Sequence, residues 1–220
     1  MQITFLGHSA FEIVTRKEKI LIDPFLVRYP NYNFNNVTNI FVTHGHSDHI
    51  GSAIEISKIT NAPITAIFEL ANYCTSKGAT TNSIGLGAWL NYDFGKVIFL
   101  PAFHSSSSPE GIYTGCPASI LFKIDGKKIY HAGDTALNSE MKVIGELYSP
   151  DIAILPIGGT YTMDIEHAAI AANWLQAKTI IPMHYNTFDA ISTDINKFTE
   201  TIKSNKQNIQ IMDIGEKLTI

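Results

Sequence analysis

The order of predicted secondary structure elements is the feature that most constrains the fold of this chain. A group of strands followed by alternating helices and strands occurs twice along the 220 residues. In the first group, short apolar stretches separated by turn residues predict the strands. In the second group, the Asp125-Gly126 pair predicts a hairpin turn. Two halves of this kind favour an α/β fold in which two sheets pack face to face between helices, a four-layer αββα sandwich.

Apolar periodicity and turn signals set the bounds of these elements. The predicted strands cover residues 2–6, 10–15, 19–22, 40–43, 64–68, 96–102, 118–124, 127–131, 151–155, 179–183 and 209–212. The predicted helices cover residues 53–60, 69–77, 139–147, 166–175 and 193–204. No linker or close repeat divides the chain, so we expect a single domain over residues 1–220.

The composition favours a compact enzyme and argues against several classes of partner. Hydrophobic residues make up 45% and charged residues 16% of the chain, against about 25% charged in average proteins. The net charge of -4 is spread along the chain without a basic block, so we expect no nucleic-acid partner. No apolar stretch approaches the roughly 18 residues of a membrane span. We expect a cytoplasmic protein with a small-molecule substrate and no membrane partner, and the sequence leaves a homo-oligomer open.

Residues 44–49 read His-Gly-His-Ser-Asp-His, which places four potential metal ligands within six positions. The segment follows the apolar residues 40–43, and open α/β sheets place their active sites at the carboxyl ends of strands. Imidazole and carboxylate groups together suit zinc, manganese or iron. The segment therefore predicts a metal centre.

Three further ligand-type side chains follow apolar strands elsewhere in the chain. His104 follows residues 97–103, Asp134 follows residues 128–133, and His184 follows residues 179–183. Gly133 would let the backbone turn sharply before Asp134. We expect these strand ends to complete the metal centre.

In these motifs and their order, the chain resembles the metallo-β-lactamase superfamily, whose fold is the αββα sandwich. The resemblance covers essentially the whole chain. Residues 6–11, 22–25 and 158–163 resemble a narrower group of small bacterial and archaeal metal-dependent hydrolases related to the ascorbate-6-phosphate lactonases.

The resemblance implies a site with two divalent metal ions, Zn²⁺ first, with Mn²⁺ or Fe²⁺ as alternatives. It implies these ligands: His44, His46 and His104 for the first metal, Asp48, His49 and His184 for the second, and Asp134 for both. Two cations can share a hydroxide, because metal binding lowers the pKa of water to about 7. The resemblance therefore implies a dinuclear hydrolase that cleaves a small ester, lactone or phosphodiester.

Other residues near these motifs carry two interpretations each. We expect His8, with Asp48 and Asp134, to take part in catalysis, with His8 acting on a ligand or transferring a proton; a hydrogen-bonded structural histidine is the alternative. Asp23 either orients the second ring nitrogen of a ligating histidine or serves the turn before Pro24.

This chain departs from the narrower group where that group has Gly-Pro after Thr-Met. Here the sequence reads Asp164-Ile165, and Asp164 is expected to cap the helix that follows, with a substrate-facing role as the alternative. His167 is expected to be a partly exposed helix residue.

Two other classes of function stay open. Relatives with non-haem di-iron centres carry out redox chemistry, but they have Glu where this chain has His46 and they carry an added flavin domain, and this sequence shows neither feature. A non-catalytic metal-binding or ligand-binding module is the third class, and the complete set of ligand types argues against it.

Overall fold

The structure, a computed structural model, describes residues 1–204 and 207–220 and consists of two compact units. Unit 1 contains Met1–Leu86, Ser105–Pro117 and Met212–Ile220. Unit 2 contains Gly87–His104 and Ala118–Ile211. Each unit is built on its own seven-stranded sheet.

Unit 1 contains a mixed sheet and helices α1 to α3. Its strands are β1 (Gln2–Gly7), β2 (Ala10–Val14), β3 (Lys19–Ile22), β4 (Asn39–Phe41), β5 (Ile64–Ile67), β6 (Thr81–Ile84) and β14 (Lys217–Thr219). Its helices are α1 (Ser47–Ile50), α2 (Ala53–Thr60) and α3 (Phe68–Ser76). The strand order is β14-β1-β2-β3-β4-β5-β6, antiparallel as far as β3 and parallel from β3 to β6. Parallel strands bring their carboxyl ends to one edge, and α1 follows β4 at that edge.

In its described residues, unit 2 also consists of a mixed sheet and three α-helices. Its strands are β7 (Trp89–Tyr92), β8 (Gly95–Pro101), β9 (Ala118–Ile124), β10 (Lys127–His131), β11 (Ile152–Pro156), β12 (Thr179–Met183) and β13 (Asn208–Ile209). Its helices are α4 (Glu140–Tyr148), α5 (Ile165–Leu175) and α6 (Ile195–Ser204), with a 3₁₀ turn over Asp189–Ile191. The strand order is β13-β12-β11-β10-β9-β8-β7, with an antiparallel meander from β7 to β10 and parallel pairing beyond it.

Local chemistry explains where these elements begin and end. Asp125 and Gly126 join β9 to β10 with φ angles of 49° and 78°, as a two-residue hairpin with positive φ at both positions requires. All five residues of β11 are buried, because a parallel strand is covered on both faces of its sheet. Strand β4 ends at Phe41 rather than at the predicted residue 43, and the Thr43 N–H donates to the Asp23 side chain instead of continuing the ladder.

The sequence did not reveal β6, β7 and β14. Strands β6 and β7 lie at sheet edges, and their residues are exposed or half-buried. Edge strands carry polar residues, so their apolar alternation is weak. Within the described part of the chain, no helix is both long and apolar enough to span a membrane.

Candidate metal centre

The predicted metal-binding segment leaves β4 and enters α1 in unit 1. His44 and His49 are buried, while His46 and Asp48 are half-buried. His46 takes the N-cap position of α1 with extended backbone angles, and Asp48 lies in its first turn. Because the chain changes here from extended to helical, these side chains do not alternate between two faces as the side chains of a strand do.

Asp23 orients the imidazole of His49. Asp23 Oδ2 lies 2.8 Å from His49 Nδ1, and both side chains are fully buried. The same carboxylate accepts the Thr43 N–H at 2.8 Å and the Thr43 hydroxyl at 2.7 Å. Since Nδ1 faces the carboxylate, coordination by His49 would use Nε2. This contact matches the first interpretation of Asp23, the orientation of a ligating histidine.

One ring nitrogen of His44 lies close to one ring nitrogen of His46. His44 Nδ1 lies 3.0 Å from the Thr43 hydroxyl oxygen, and His44 Nε2 lies 3.0 Å from His46 Nδ1. Two nitrogens about 2.0–2.1 Å from a tetrahedral zinc would lie roughly 3.3 Å apart. The observed separation is close to that value, so this pair fits the ligands of one cation.

His8 contacts the predicted ligand Asp48. It follows β1 in a left-handed conformation with φ 56°, and it is buried. His8 Nε2 lies 3.1 Å from Asp48 Oδ2. The ligand-type atoms of His8, Asp48 and His49 lie within 4.8 Å of one another. His8 therefore has the position required to hold Asp48 or to exchange a proton with it.

In unit 2 the three predicted ligands meet at one carboxylate oxygen. Asp134 Oδ2 lies 3.1 Å from His184 Nε2 and 3.6 Å from His104 Nε2. Asp134 is buried and follows Gly133, whose φ of 59° provides the predicted sharp turn. The backbone of His184 is also left-handed, with φ 53°. Two imidazole nitrogens close to one carboxylate oxygen form a donor set that suits a divalent cation.

The loop Ser105–Pro117 holds the metal-binding segment of unit 1 at Gly45. Ser106 Oγ accepts the Gly45 N–H at 3.1 Å and lies 2.7 Å from the Thr114 hydroxyl. A Cβ at Gly45 would clash with Thr114 Oγ1, so only glycine fits between His44 and His46. Ser106 belongs to a run of four serines, a composition typical of a solvated loop, but it is buried. Its contact depends on chain folding over about sixty positions, which no local sequence signal reports.

The tip of the same loop is attached to α3. Glu110 accepts hydrogen bonds from the Tyr73 hydroxyl at 2.6 Å, Lys77 Nζ at 2.6 Å and the Ser108 hydroxyl at 2.9 Å. The Lys77 bond is the main reason that the pKa of Glu110 is lowered to about 2. The ion pair is exposed, so it fixes the position of the loop more than it contributes to stability.

Two other residues behave as structural elements of unit 2. Asp164 is the N-cap of α5, and its Oδ1 accepts the His167 N–H at 2.8 Å. His167 is exposed on the first turn of the helix. These observations confirm the cap and helix-surface interpretations of the two residues.

The donor sets of both units fit divalent cations. Each set combines imidazole nitrogens with carboxylate oxygens at a largely buried position, where an added positive charge compensates buried carboxylates. Unit 1 contributes His44, His46, Asp48 and His49, and unit 2 contributes His104, Asp134 and His184.

Comparison with known protein families identifies the family of this chain. The family model described as "Beta-lactamase superfamily domain" matches residues 2–184, which is most of the chain. The chain belongs to the β-lactamase superfamily. The match begins in β1 and ends at His184, so it includes every residue predicted to bind metal.

Individual relatives agree with this assignment. A UPF0173 metal-dependent hydrolase of Bacillus anthracis is 44% identical over 229 aligned positions that cover 100% of both chains. The structure of Igni18, a novel metallo hydrolase from the hyperthermophilic archaeon Ignicoccus hospitalis KIN4/I, is similar with a TM-score of 0.90 and 37% identity. That similarity covers 99% of this chain and 97% of Igni18. The metallo-β-lactamase fold protein YhfI from Bacillus subtilis shares the fold, with a TM-score of 0.77 at 13% identity over 99% of this chain and 98% of YhfI.

These similarities confirm the predicted family and fold class, an α/β protein with the metallo-β-lactamase fold. They also confirm the prediction of an enzyme at the level of a metal-dependent hydrolase, which is how the relatives are described. The relation to the ascorbate-6-phosphate lactonases, the assignment of individual ligands and the single domain stay predictions.

Proposed function

We propose that this member of the β-lactamase superfamily binds two divalent cations and hydrolyses a small ester, lactone or phosphodiester. The observation that carries the proposal is the convergence of His104 and His184 on Asp134 Oδ2 in unit 2. The pair of imidazole nitrogens 3.0 Å apart in unit 1 supports it independently. Bound divalent cations would supply Lewis acidity and lower the pKa of water to about 7.

We assign the ligands by family membership and by their order along the chain. The proposed assignment is His44, His46 and His104 for one cation, Asp48, His49 and His184 for the other, and Asp134 for both. Zn²⁺ is the first choice because imidazole and carboxylate ligands suit it, and Mn²⁺ and Fe²⁺ use similar ligands.

The other residues of the site act on these ligands. Asp23 holds His49 Nδ1, so Nε2 would be the nitrogen that coordinates a cation. His8 Nε2 holds Asp48 Oδ2, and we propose that it exchanges a proton with that carboxylate during the reaction. Ser106 fixes the backbone between His44 and His46 through the Gly45 N–H.

Metal analysis of purified variants tests the ligand assignment. We expect Asp134→Ala and His49→Ala to lose most of the metal that the wild type carries, because each removes a buried ligand. His167→Ala is the matched control, since this exposed histidine lies outside the proposed site and should leave metal content unchanged. Near-full metal content in both ligand variants would contradict the assignment.

The same preparations test the reaction. Wild-type protein reconstituted with Zn²⁺, Mn²⁺ or Fe²⁺ in turn is assayed on a panel of lactones, thioesters, simple esters and phosphodiesters. We expect hydrolysis of at least one class, and loss of that activity by about 100-fold or more in Asp134→Ala, as for other residues central to a catalytic site. Full metal binding without turnover of any substrate would instead support a non-catalytic metal-binding module.

A further inference from the structure

Unit 1 contains a cleft of about 460 Å³ between the loop that joins β3 to β4 and the helices α1 and α2. Its volume falls in the range of small-molecule sites, about 300–1,000 Å³. We propose that this cleft binds the non-reacting part of the substrate, an apolar group that carries a protonated amine. The identification of its occupant as substrate rests on the function proposed above.

One wall of the cleft is apolar and held in place. Phe25, Leu26, Val27 and Phe34 from the loop line this wall, and Val27 is 60% exposed. Leu26 and Phe34 also pack against the apolar core of the unit, so their positions are fixed from the inner side. Apolar side chains that are fixed at a concave surface favour an apolar ligand. Folding has already ordered them, so binding loses little further side-chain entropy.

Backbone hydrogen bonds keep the loop in the shape that forms the cleft. The Ser52 N–H donates to the Pro24 carbonyl at 3.0 Å, which ties the loop to the start of α2. The Tyr29 N–H donates to the Leu26 carbonyl at 2.9 Å. A Cβ at Gly51 would clash with the Pro24 carbonyl oxygen, so the loop and the helix junction are in close contact. The cleft is thus a preformed feature of the unit.

The side chains that α1 and α2 and their junction contribute to the cleft are polar, and one of them is acidic. They belong to Ser47, Ser52 and Glu55, and among the described residues that form the cleft Glu55 is the charged one. Tyr32 also lines the cleft, but its hydroxyl already donates to Glu12 at 2.5 Å. The described residues that line the cleft therefore offer a carboxylate and hydroxyl groups to its occupant and include no lysine or arginine. Lys19, whose Nζ lies 4.8 Å from the centre of the Tyr32 ring, is paired with Glu12 at 3.2 Å. The negative charge of Glu55 favours a protonated amine over a neutral or anionic group.

The cleft lies beside the proposed metal ligands of its own unit. Ser47 stands between His46 and Asp48 in the chain. The ring of Phe25 lies 5.5 Å from the ring of His8, centroid to centroid, and His8 contacts Asp48. An occupant that reaches along this wall would bring an attached ester or lactone carbonyl toward Asp48. The proposed substrate class is thus an apolar ester or lactone with an amino group, rather than a phosphodiester.

Binding of two probes tests the charge preference without any reaction. The probes are 2-phenylethylamine and 2-phenylethanol, titrated into the metal-loaded protein near neutral pH. We expect the amine to bind about threefold more tightly, the size of an exposed charge interaction. Glu55→Gln should remove the difference, while Glu146→Gln, an exposed carboxylate on α4 of unit 2, should leave it unchanged. Equal affinities for the two probes in the wild type, or an unchanged preference in Glu55→Gln, would overturn the proposal.

A variant that fills the cleft tests the apolar part of the proposal. Ser52→Phe places a ring among the polar side chains of the cleft, and Ser52 makes no side-chain capping bond to α2 that the change would remove. We expect at least a tenfold loss of affinity for both probes. Ser139→Phe is the matched control, because Ser139 is likewise an N-cap without a side-chain capping bond, at α4 of unit 2. Equal probe affinity in Ser52→Phe and wild type would show that the probes bind elsewhere and would overturn the proposal.

The outcomes separate this proposal from the proposed function. Probe binding that depends on Glu55 and Ser52 in a protein that hydrolyses no substrate of the panel would support the cleft and contradict the proposed function. Ester hydrolysis without such binding would support the hydrolase and contradict the cleft. A preserved melting temperature in Glu55→Gln and Ser52→Phe shows that each variant is folded. If Ser52→Phe does not fold, the probe preference of Glu55→Gln alone tests the proposal.

Discussion

At the scale of single residues, a buried carboxylate that binds no metal in our assignment contacts one of the proposed ligands. Asp23 has a φ of 44°, a conformation that costs energy for residues other than glycine and that Asp and Asn tolerate best. Its carboxylate accepts three hydrogen bonds from Thr43 and His49. The strained backbone is thereby linked to the orientation of one imidazole.

Asp23→Asn is therefore expected to weaken metal binding without disturbing the backbone. Asparagine tolerates the same φ, but its amide cannot hold the His49 Nδ1–H as a carboxylate does. Loss of such a partner typically costs about 10–100-fold in metal affinity. Competition titration against a chelator measures this change, with Asp93→Asn in the exposed β7–β8 turn as the control. An affinity in Asp23→Asn equal to that of the wild type would show that His49 needs no such support or is not a ligand.

The histidines and aspartates of the proposed site could be predicted from sequence because ligand chemistry leaves few alternatives for them. The His44–His49 segment was predicted from its composition and its place after an apolar strand, and His104, Asp134 and His184 were predicted from their places after apolar strands. The partners of these residues were less visible. The contact of His8 with Asp48 spans 40 positions, and that of Asp23 with His49 spans 26. Sequence reasoning could only propose both as one of two alternatives.

At the scale of secondary structure elements, the long and strongly apolar segments were predicted within one or two residues. Strands β9, β10 and β12 and helix α2 have the predicted bounds. Helix α1 was not predicted, because four residues give no apolar periodicity to detect. The edge strands were not predicted for the reason given above, that sheet edges carry polar residues. The central strands thus follow from the pattern of burial, and the peripheral ones depend on the assembled sheet.

The loop Ser105–Pro117 is the element whose role differs most from what its serine-rich composition indicates. Ser106 and Thr114 face Gly45, and Glu110 attaches the tip of the loop to α3. Serine hydroxyls in a long loop are typical of solvated chain, and nothing in the serine run distinguishes Ser106 from its neighbours. Only the folded loop shows that this hydroxyl holds the backbone between two predicted ligands.

We expect Ser106→Ala to lower the affinity for the metal held by His44 and His46. The change leaves the buried Gly45 N–H without its hydroxyl acceptor, which costs about 1–3 kcal/mol. The segment can avoid this cost only by moving, and that movement shifts both imidazoles. Two-step metal titration should show one weakened site and one unchanged site. Ser107→Ala serves as the control, and an equal weakening of both sites in Ser106→Ala would indicate general destabilisation instead.

At the scale of the whole molecule, the two units contribute different parts of the proposed ligand set. Unit 1 supplies the segment that follows β4, and unit 2 supplies Asp134 with its two histidines. The sequence predicted one domain with two halves, each a group of strands followed by alternating helices and strands. The family match over residues 2–184 includes the proposed ligands of both units. Metal binding should therefore couple the stability of the units.

Removal of metal is expected to lower the melting temperature of both units together. Binding at 100 times Kd stabilises a protein by about 2.7 kcal/mol, which for a chain of this size corresponds to a shift of roughly 5–11 °C. The chain carries its own probes for each unit. Trp89 and Trp174, the two tryptophans, lie in unit 2 and report its unfolding by fluorescence. Cys74 is fully buried in unit 1, where burial raises its thiol pKa to about 12, so its reaction with a thiol reagent reports the unfolding of that unit.

Cys116→Ser removes the exposed thiol, so that the reagent reports Cys74 alone. With chelator, the fluorescence and thiol transitions should shift downward by the same amount in this background. In Asp134→Ala, which has lost a proposed shared ligand, the chelator should shift neither transition appreciably. A shift confined to the tryptophan signal would mean that unit 2 binds metal by itself, and a shift confined to Cys74 would mean the same for unit 1. Either result would contradict a centre built from both ligand sets. If both units supply ligands, the loss of metal lowers the stability of each of them.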